Sequence, residues 1–158
     1  MNRNNFFAAL LAIAAVLGRE KASAQSVSGS WIKTSEIITH MDGKAVDMFE
    51  RIKKQIPCFA GIVYIFSTGG KMDEDASGCP ATIQKTAVSI NRQTSWKQTG
   101  DKITLNIAGD AAPIKRSVYH IRFAGNDEMV WTFVYAENPG TPNPLKTKEM
   151  VTTYHRRT

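Results

Sequence analysis

From Gly61 onward the chain repeats one pattern: a short stretch of alternating apolar and polar residues, then a turn rich in Gly, Asn, Asp or Thr. Alternation with a period of two sends successive side chains to opposite faces of an extended strand. Residues 61–67 (GIVYIFS) run through Thr68-Gly69-Gly70 into Lys71-Met72-Asp73, a strand, a tight turn and a second strand. Residues 86–96 read as another strand, with Val88 and Ile90 on one face. Thr99-Gly100-Asp101 turns the chain into residues 102–108, where Ile103, Leu105 and Ile107 alternate with Thr104 and Asn106. Residues 115–124 set Tyr119, Ile121 and Phe123 against Val118, His120 and Arg122. Gly125-Asn126-Asp127 leads into residues 129–136, where Trp131, Phe133 and Tyr135 share a face. A Pro-rich loop (137–145) precedes a last strand over 147–157.

Upstream, residues 29–39 (GSWIKTSEIIT) form an imperfectly amphipathic strand, with Trp31, Ser35 and Ile37 set against Lys33. The spacing of Val46, Phe49, Ile52 and Ile56 predicts a short capping helix over 44–56, which Pro57 ends. The total is about eight strands joined mainly by turns, and that excludes a parallel sheet with crossover helices. With a strand at each end of the chain, first and last can pair and close an antiparallel barrel, which removes the exposed sheet edges. The expected fold is therefore all-β: eight antiparallel strands in a barrel, with one short helix after the first strand.

The first 24 residues stand apart. Arg3 precedes an uninterrupted apolar run at 6–17, and Ala22-Ser23-Ala24 is a small-residue cleavage pattern. A run of 12 residues is too short for a membrane span, which needs about 20, and it suits an export signal. The expected organisation is a signal peptide over 1–24 and one barrel domain over 25–158, secreted or periplasmic, without a membrane span. Losing Arg3, Arg19, Lys21 and Glu20 lowers the formal charge from +6 to +4. The remaining basic residues occur in pairs such as Lys53-Lys54, Lys115-Arg116 and Arg156-Arg157, not in a phosphate-binding track, so no nucleic-acid partner is expected.

Gly29-Ser30-Trp31, shortly after the apparent signal, resembles the Gly-x-Trp opening of the lipocalin superfamily. Other segments follow in the corresponding order. Residues 66–72 (FSTGGKM) are similar to the hairpin turn of bacterial lipocalin-like domains. Residues 95–105 (SWKQTGDKITL) are similar to their G-x-W-x-x-x-G-(D/N)-x-L-x-L segment, with Ser95 in place of the first Gly. Residues 154–157 (YHRR) resemble the aromatic-x-Arg terminus. The likeness covers about residues 28–157 and implies an up-and-down barrel that carries a small ligand without a cofactor or covalent chemistry. In such a barrel Trp31 plugs the closed end, with a C-terminal arginine over its ring. Alternation with Tyr154 selects Arg156 over Arg157.

Cys58 and Cys79 enclose a loop of about 20 residues, and an oxidising compartment favours a bridge between them at the barrel mouth. Free thiols or a metal site are the alternatives. His40, His120 and His155 lack metal-ligand spacing, and Asp73-Glu74-Asp75 lacks the spaced ligands and glycine of a calcium loop. No metal site is expected. Candidate ligand-lining residues are Tyr64, Phe66, Leu105, Tyr119, Ile121, Phe133 and Tyr135, with Trp131 beside them. An apolar cavity with a few hydroxyl tips suits a small hydrophobic ligand, and the same side chains can instead fill the barrel. Three functions follow in order: a non-catalytic carrier, a protein-interaction module with a packed barrel, and an enzyme using His120, Arg122 or Glu36. Oligomeric state is open.

Overall fold

The computed structural model describes residues 25–91, 93–108 and 114–158, with the side chains of 88–91 outside that description. The segment read as an export signal lies outside the described residues. Strand β1 (Gly29–His40) is 12 residues long and pairs on both edges. On one side lies β9 (Thr147–Arg156), in register from Trp31↔Arg156 to His40↔Thr147. On the other lies β3 (Val63–Phe66), with the short β2 (Ala45–Asp47) paired further along, at Ile37–Thr39. From β3 the sheet continues to β4 (Met72–Asp75). From β9 it runs through β8 (Glu128–Val134), β7 (Arg116–Ala124) and β6 (Lys102–Ile107) to β5 (Thr94–Thr99). Every pairing is antiparallel.

The two ends of this sheet, β4 and β5, meet at a short seam. Lys71 and Ser95 form a bridge, the Trp96 amide donates to the Gly70 carbonyl at 2.7 Å, and Trp96 Nε1 donates to the Lys71 carbonyl at 3.0 Å. Gly70 has φ +77°, and a Cβ there would sit 3.0 Å from the Trp96 carbonyl oxygen, so glycine allows both the turn and the approach. The result is a nearly closed eight-strand antiparallel barrel with β2 outside it. Beyond the seam β4 and β5 are not paired, and a helix follows β4 instead.

That helix corrects the sequence reading. Residues 86–96 are not one strand: α2 (Ala81–Asn91) occupies the first part and β5 the second, so the described chain has two short helices rather than one. The β-branched run Thr82, Ile83 and Thr86 favours a strand by propensity, and the local anchors override it. The Pro80 carbonyl accepts from the amides of Ile83 and Gln84 at 2.9 and 3.1 Å, and the Gln84 side chain donates to the Cys79 carbonyl at 2.7 Å. Ile83 and Ala87, four residues apart, then pack against the core from one helical face. The helix expected over 44–56 is shorter, α1 (Met48–Gln55), because Ala45–Asp47 pairs with β1 as β2. Asp47 caps it by accepting from the Glu50 amide at 2.9 Å, and the chain leaves it at Ile56-Pro57.

The closed end of the barrel is built on Trp31, which is fully buried. Its Nε1 donates to the Val27 carbonyl at 2.7 Å, and the Arg156 guanidinium carbon lies 4.2 Å from its ring centroid. Arg156 also donates to the carbonyls of Asn126 (3.0 Å) and Ser28 (3.3 Å), so one side chain ties together the N-terminal approach, the β7–β8 turn and the last strand. Gly29 has φ +132°, and a Cβ there would meet Arg156 Nη1 at 2.5 Å. The glycine of the Gly-x-Trp signature therefore makes room for the arginine. Val27, Ile103 and Met129, all fully buried, complete this layer.

The disulfide between Cys58 and Cys79 is formed, with Cα atoms 5.2 Å apart. It joins the 3₁₀ turn Pro57–Gly61 to the segment that opens α2. Among the described residues no helix is long and apolar enough to cross a membrane.

Replacing a fully buried aromatic with alanine leaves a large cavity, so Trp31→Ala is expected to cost about 3–5 kcal/mol in urea denaturation. Arg156→Ala is expected to cost less, about 1–2 kcal/mol, because the ring stays in place. Equal stability of Trp31→Ala and the wild-type chain would remove Trp31 from its role at the barrel base.

Candidate functional site

The helices stand on the β1–β3–β4 side of the barrel: α1 and the 3₁₀ turn pack on β1, and α2 packs on β4. α1 and the 3₁₀ turn stand on one side and α2 on the other, and the disulfide fixes the turn relative to α2. Between them is a cleft of about 410 Å³. One wall is Ile52, Ile56 and Phe59, and the other is Thr82, Ile83, Thr86 and Ala87. Ile62 and Tyr64 come from β3 and its approach, and Glu74 borders the cleft from β4, directly opposite Tyr64 in the strand register. The lining is mostly apolar, and its volume lies in the range of small-molecule sites, roughly 300–1,000 Å³.

Beside this cleft lies an ion pair that alternation did not foretell. A register shift between Lys33 and Ser35 inserts a bulge into β1 against β9. A bulge breaks the period of two, so Lys33 and Glu36, three residues apart, come together on one side of the strand. They form a salt bridge with both side chains nearly buried, 12% and 13% exposed. The Lys33 ammonium lies 5.3 Å from the Phe59 ring centroid and 5.6 Å from that of Tyr64, both rings of the cleft. Lys33 lies two residues from Trp31 with no shift between them and so shares that residue's side of β1, which corrects the expectation that set it against Trp31.

The seven lumen candidates fall into two groups. Tyr64 alone among them lines the cleft. The others belong to a packed interior. Ring centroids run from Tyr64 to Tyr154 (5.5 Å), to Trp131 (5.4 Å), and from Trp131 to Phe66 (5.3 Å) and Tyr119 (5.2 Å). Phe133 continues the column from Tyr119 (5.2 Å) to Tyr135 (4.9 Å). Ile121 is buried in the same core, and Leu105 packs against it half-buried. Such contacts add to burial because tilted and edge-on rings attract. Trp131 is 2% exposed, and its Nε1 has no hydrogen-bond partner among the described residues, an uncommon feature for a buried donor.

Burial raises the pKa of three phenols. Tyr119 is pushed up to about 12, chiefly by desolvation. Tyr64 and Tyr154 lie further above the ordinary value for the same reason, with added repulsion from Glu74 and Glu36. The three histidines sit apart: His40 Nδ1 lies 3.0 Å from the Leu145 carbonyl, His120 Nε2 lies 2.7 Å from Glu137, and His155 Nε2 lies 3.1 Å from Glu128. His120 and Arg122 occupy the opposite face of β7 from Tyr119 and Ile121, whereas Glu36 is paired with Lys33. The structure does not assemble those three into a common site. Among the described residues no group of three or more His, Cys, Asp or Glu is placed to hold a metal ion.

Sequence reasoning placed the ligand deep in the barrel and did not select Ile52, Ile56, Phe59, Ile83 or Ala87. The usable signal was the apolar stripe of α1 together with the two cysteines, which bring that stripe to the segment after β4. Compared with known proteins, the chain matches no family model, no curated protein and no solved structure.

Two measurements follow from this geometry. Removing one partner of a buried ion pair strands the other, so Lys33→Met or Glu36→Gln alone is expected to cost about 3–5 kcal/mol. The double variant Lys33→Met/Glu36→Leu is expected to cost far less than the sum, and strict additivity in urea denaturation would contradict the pairing. In alkaline titration, the folded chain keeps these phenols neutral above the ordinary pKa of 10.0, whereas the unfolded chain ionises there. Their contribution to stability is complete below pH 10 and falls as pH rises above it, for Tyr119 until about 12 and for Tyr64 and Tyr154 further still. Ultraviolet absorbance should show three of the four tyrosines silent until the fold opens or that range is passed.

Proposed function

We propose that this chain is an exported, lipocalin-like carrier that holds a small hydrophobic ligand non-covalently in the cleft between α1 and α2. The observation that carries the reading is the cleft itself: about 410 Å³, with isoleucine, alanine, phenylalanine and threonine walls on two helices tied by a disulfide. Burial of an apolar ligand there removes surface from water on both partners, and the tether limits the conformational cost of forming the pocket. The bridge suits an oxidising compartment, in keeping with the export signal read over residues 1–24. The interior column from Tyr64 to Tyr135 supplies a rigid base against which the cleft is set.

The reading as a protein-interaction module rests on a different observation. Met41 and Leu145 are 60% and 64% exposed and border one shared depression with His40 and Lys146 at the end of β1. Two side chains make a small apolar patch, and the α1–α2 cleft offers a larger apolar lining, so the carrier reading is preferred.

Titration with N-phenyl-1-naphthylamine, a neutral apolar fluorophore, tests it. Saturable one-to-one binding is expected, weakened at least about tenfold (about 1.4 kcal/mol) by Ile83→Arg on one wall or Ile52→Arg on the other, with unchanged melting temperatures. Absence of saturable binding, or binding indifferent to both substitutions, would overturn the proposal.

A further inference from the structure

The polar side chains that line the cleft are few, and they differ in what they are bonded to. Thr82 and Thr86 stand at its exposed rim, where the Thr86 hydroxyl donates to the Thr82 carbonyl at 3.1 Å. Glu74 has contacts of its own. Tyr64 lines the cleft from β3 and is 6% exposed, and its hydroxyl has no hydrogen-bond partner among the described residues. By contrast Tyr119, further along the ring column, is bonded to the Ser117 side chain. Trp131 Nε1 is the one fully buried, unbonded side-chain nitrogen or oxygen among the described residues, so the Tyr64 hydroxyl is not sealed in the core. The surface that Tyr64 keeps borders the cleft, and its hydroxyl is reached from there.

The ring that carries this hydroxyl is held in place. Tyr154 meets it edge-on at 5.5 Å, and the Lys33 ammonium lies 5.6 Å from its centroid. Burial, reinforced by the carboxylates of Glu74 and Glu36, keeps the phenol protonated far above neutral pH, so it remains a donor. A ligand that displaces solvent from such a donor without offering an acceptor strands it, whereas an acceptor oxygen restores the bond at little ordering cost.

From this arrangement we infer that Tyr64 sets ligand preference in the cleft: its hydroxyl donates to an uncharged oxygen, and the ligand is an apolar molecule bearing one ketone or ester carbonyl. The inference rests on the carrier reading of this same cleft. The apolar body lies between the isoleucines of α1 and α2, and the carbonyl turns inward to β3. A hydrocarbon of the same shape fills the same walls but leaves the phenol unbonded. A charged oxygen would have to shed its hydration against a mostly apolar lining.

2-Acetylnaphthalene and 2-isopropenylnaphthalene share one outline and differ in a carbonyl oxygen against a methylene group. Their affinities, read by displacement of N-phenyl-1-naphthylamine, are compared in the wild-type chain and in Tyr64→Phe, which removes the hydroxyl alone. Because the hydrocarbon leaves water more readily, the diagnostic quantity is the change that the substitution causes for each ligand. The ketone is expected to weaken at least about fivefold and the hydrocarbon to keep or gain affinity, with melting curves confirming that the variant folds. In the wild-type chain the carbonyl stretch of bound 2-acetylnaphthalene is expected below its position in hexane, returning toward it in Tyr64→Phe. Equal changes for the two ligands, or a stretch at the hexane position in the wild-type chain, overturn the inference while leaving the carrier reading intact. Failure of the fluorophore and both naphthalenes to bind overturns the carrier reading, and the inference with it.

Discussion

The pairing of the first strand with the last holds the architecture together. β1 and β9 run in register from Trp31↔Arg156 to His40↔Thr147, and that ladder joins the hairpin β3–β4 to the meander β5–β8. Without it the two halves of the sheet would have only the short seam at Lys71 and Ser95 to connect them. The Trp31–Arg156 contact pins the ladder at its closed end, where Gly29 leaves space for the guanidinium and Val27 supplies the indole acceptor. A single register slip would invert every inward side chain of β1, so this pinned pair also fixes which residues meet in the interior.

The candidate site lies where the two helices and the 3₁₀ turn meet β3 and β4. Beyond their seam β4 and β5 remain unpaired, and α2 follows β4 in place of a further strand pairing. Two helices must then share the mouth, and the Cys58–Cys79 bridge sets one turn against the other helix. The interior below is filled by rings stacked at 4.9–5.5 Å, so the accessible apolar volume described here is displaced toward the helices. The buried Lys33–Glu36 pair is costly to desolvate, and its geometry makes sense only with both partners present.

Alternation and turn residues made most of the strands legible in the sequence. Residues such as Ile103, Ile121 and Phe133 are buried in the structure, on the faces the period of two selects. Cysteine arithmetic located the bridge. Legibility failed where a distant anchor outweighed local preference. At 81–91, Pro80 and the tethered Cys79 impose a helix on residues whose β-branched side chains favour a strand. After Lys33, a bulge in β1 changed the parity, so Glu36 joins the side of the strand that Lys33 shares with Trp31, and the two pair nearly buried beside Tyr64. The cleft was hidden for a related reason: its walls come from two segments far apart in sequence, and only the disulfide reveals that they face one another.

The central claim, that an apolar ligand occupies the space between α1 and α2 and not the aromatic interior, is most directly tested by isoleucine methyl NMR during titration with N-phenyl-1-naphthylamine. Shifts concentrated on Ile52, Ile56, Ile62 and Ile83, with Ile103 and Ile121 unmoved, are the expected result. Shifts centred on Ile103 and Ile121, or no shifts at any ligand ratio, would contradict it.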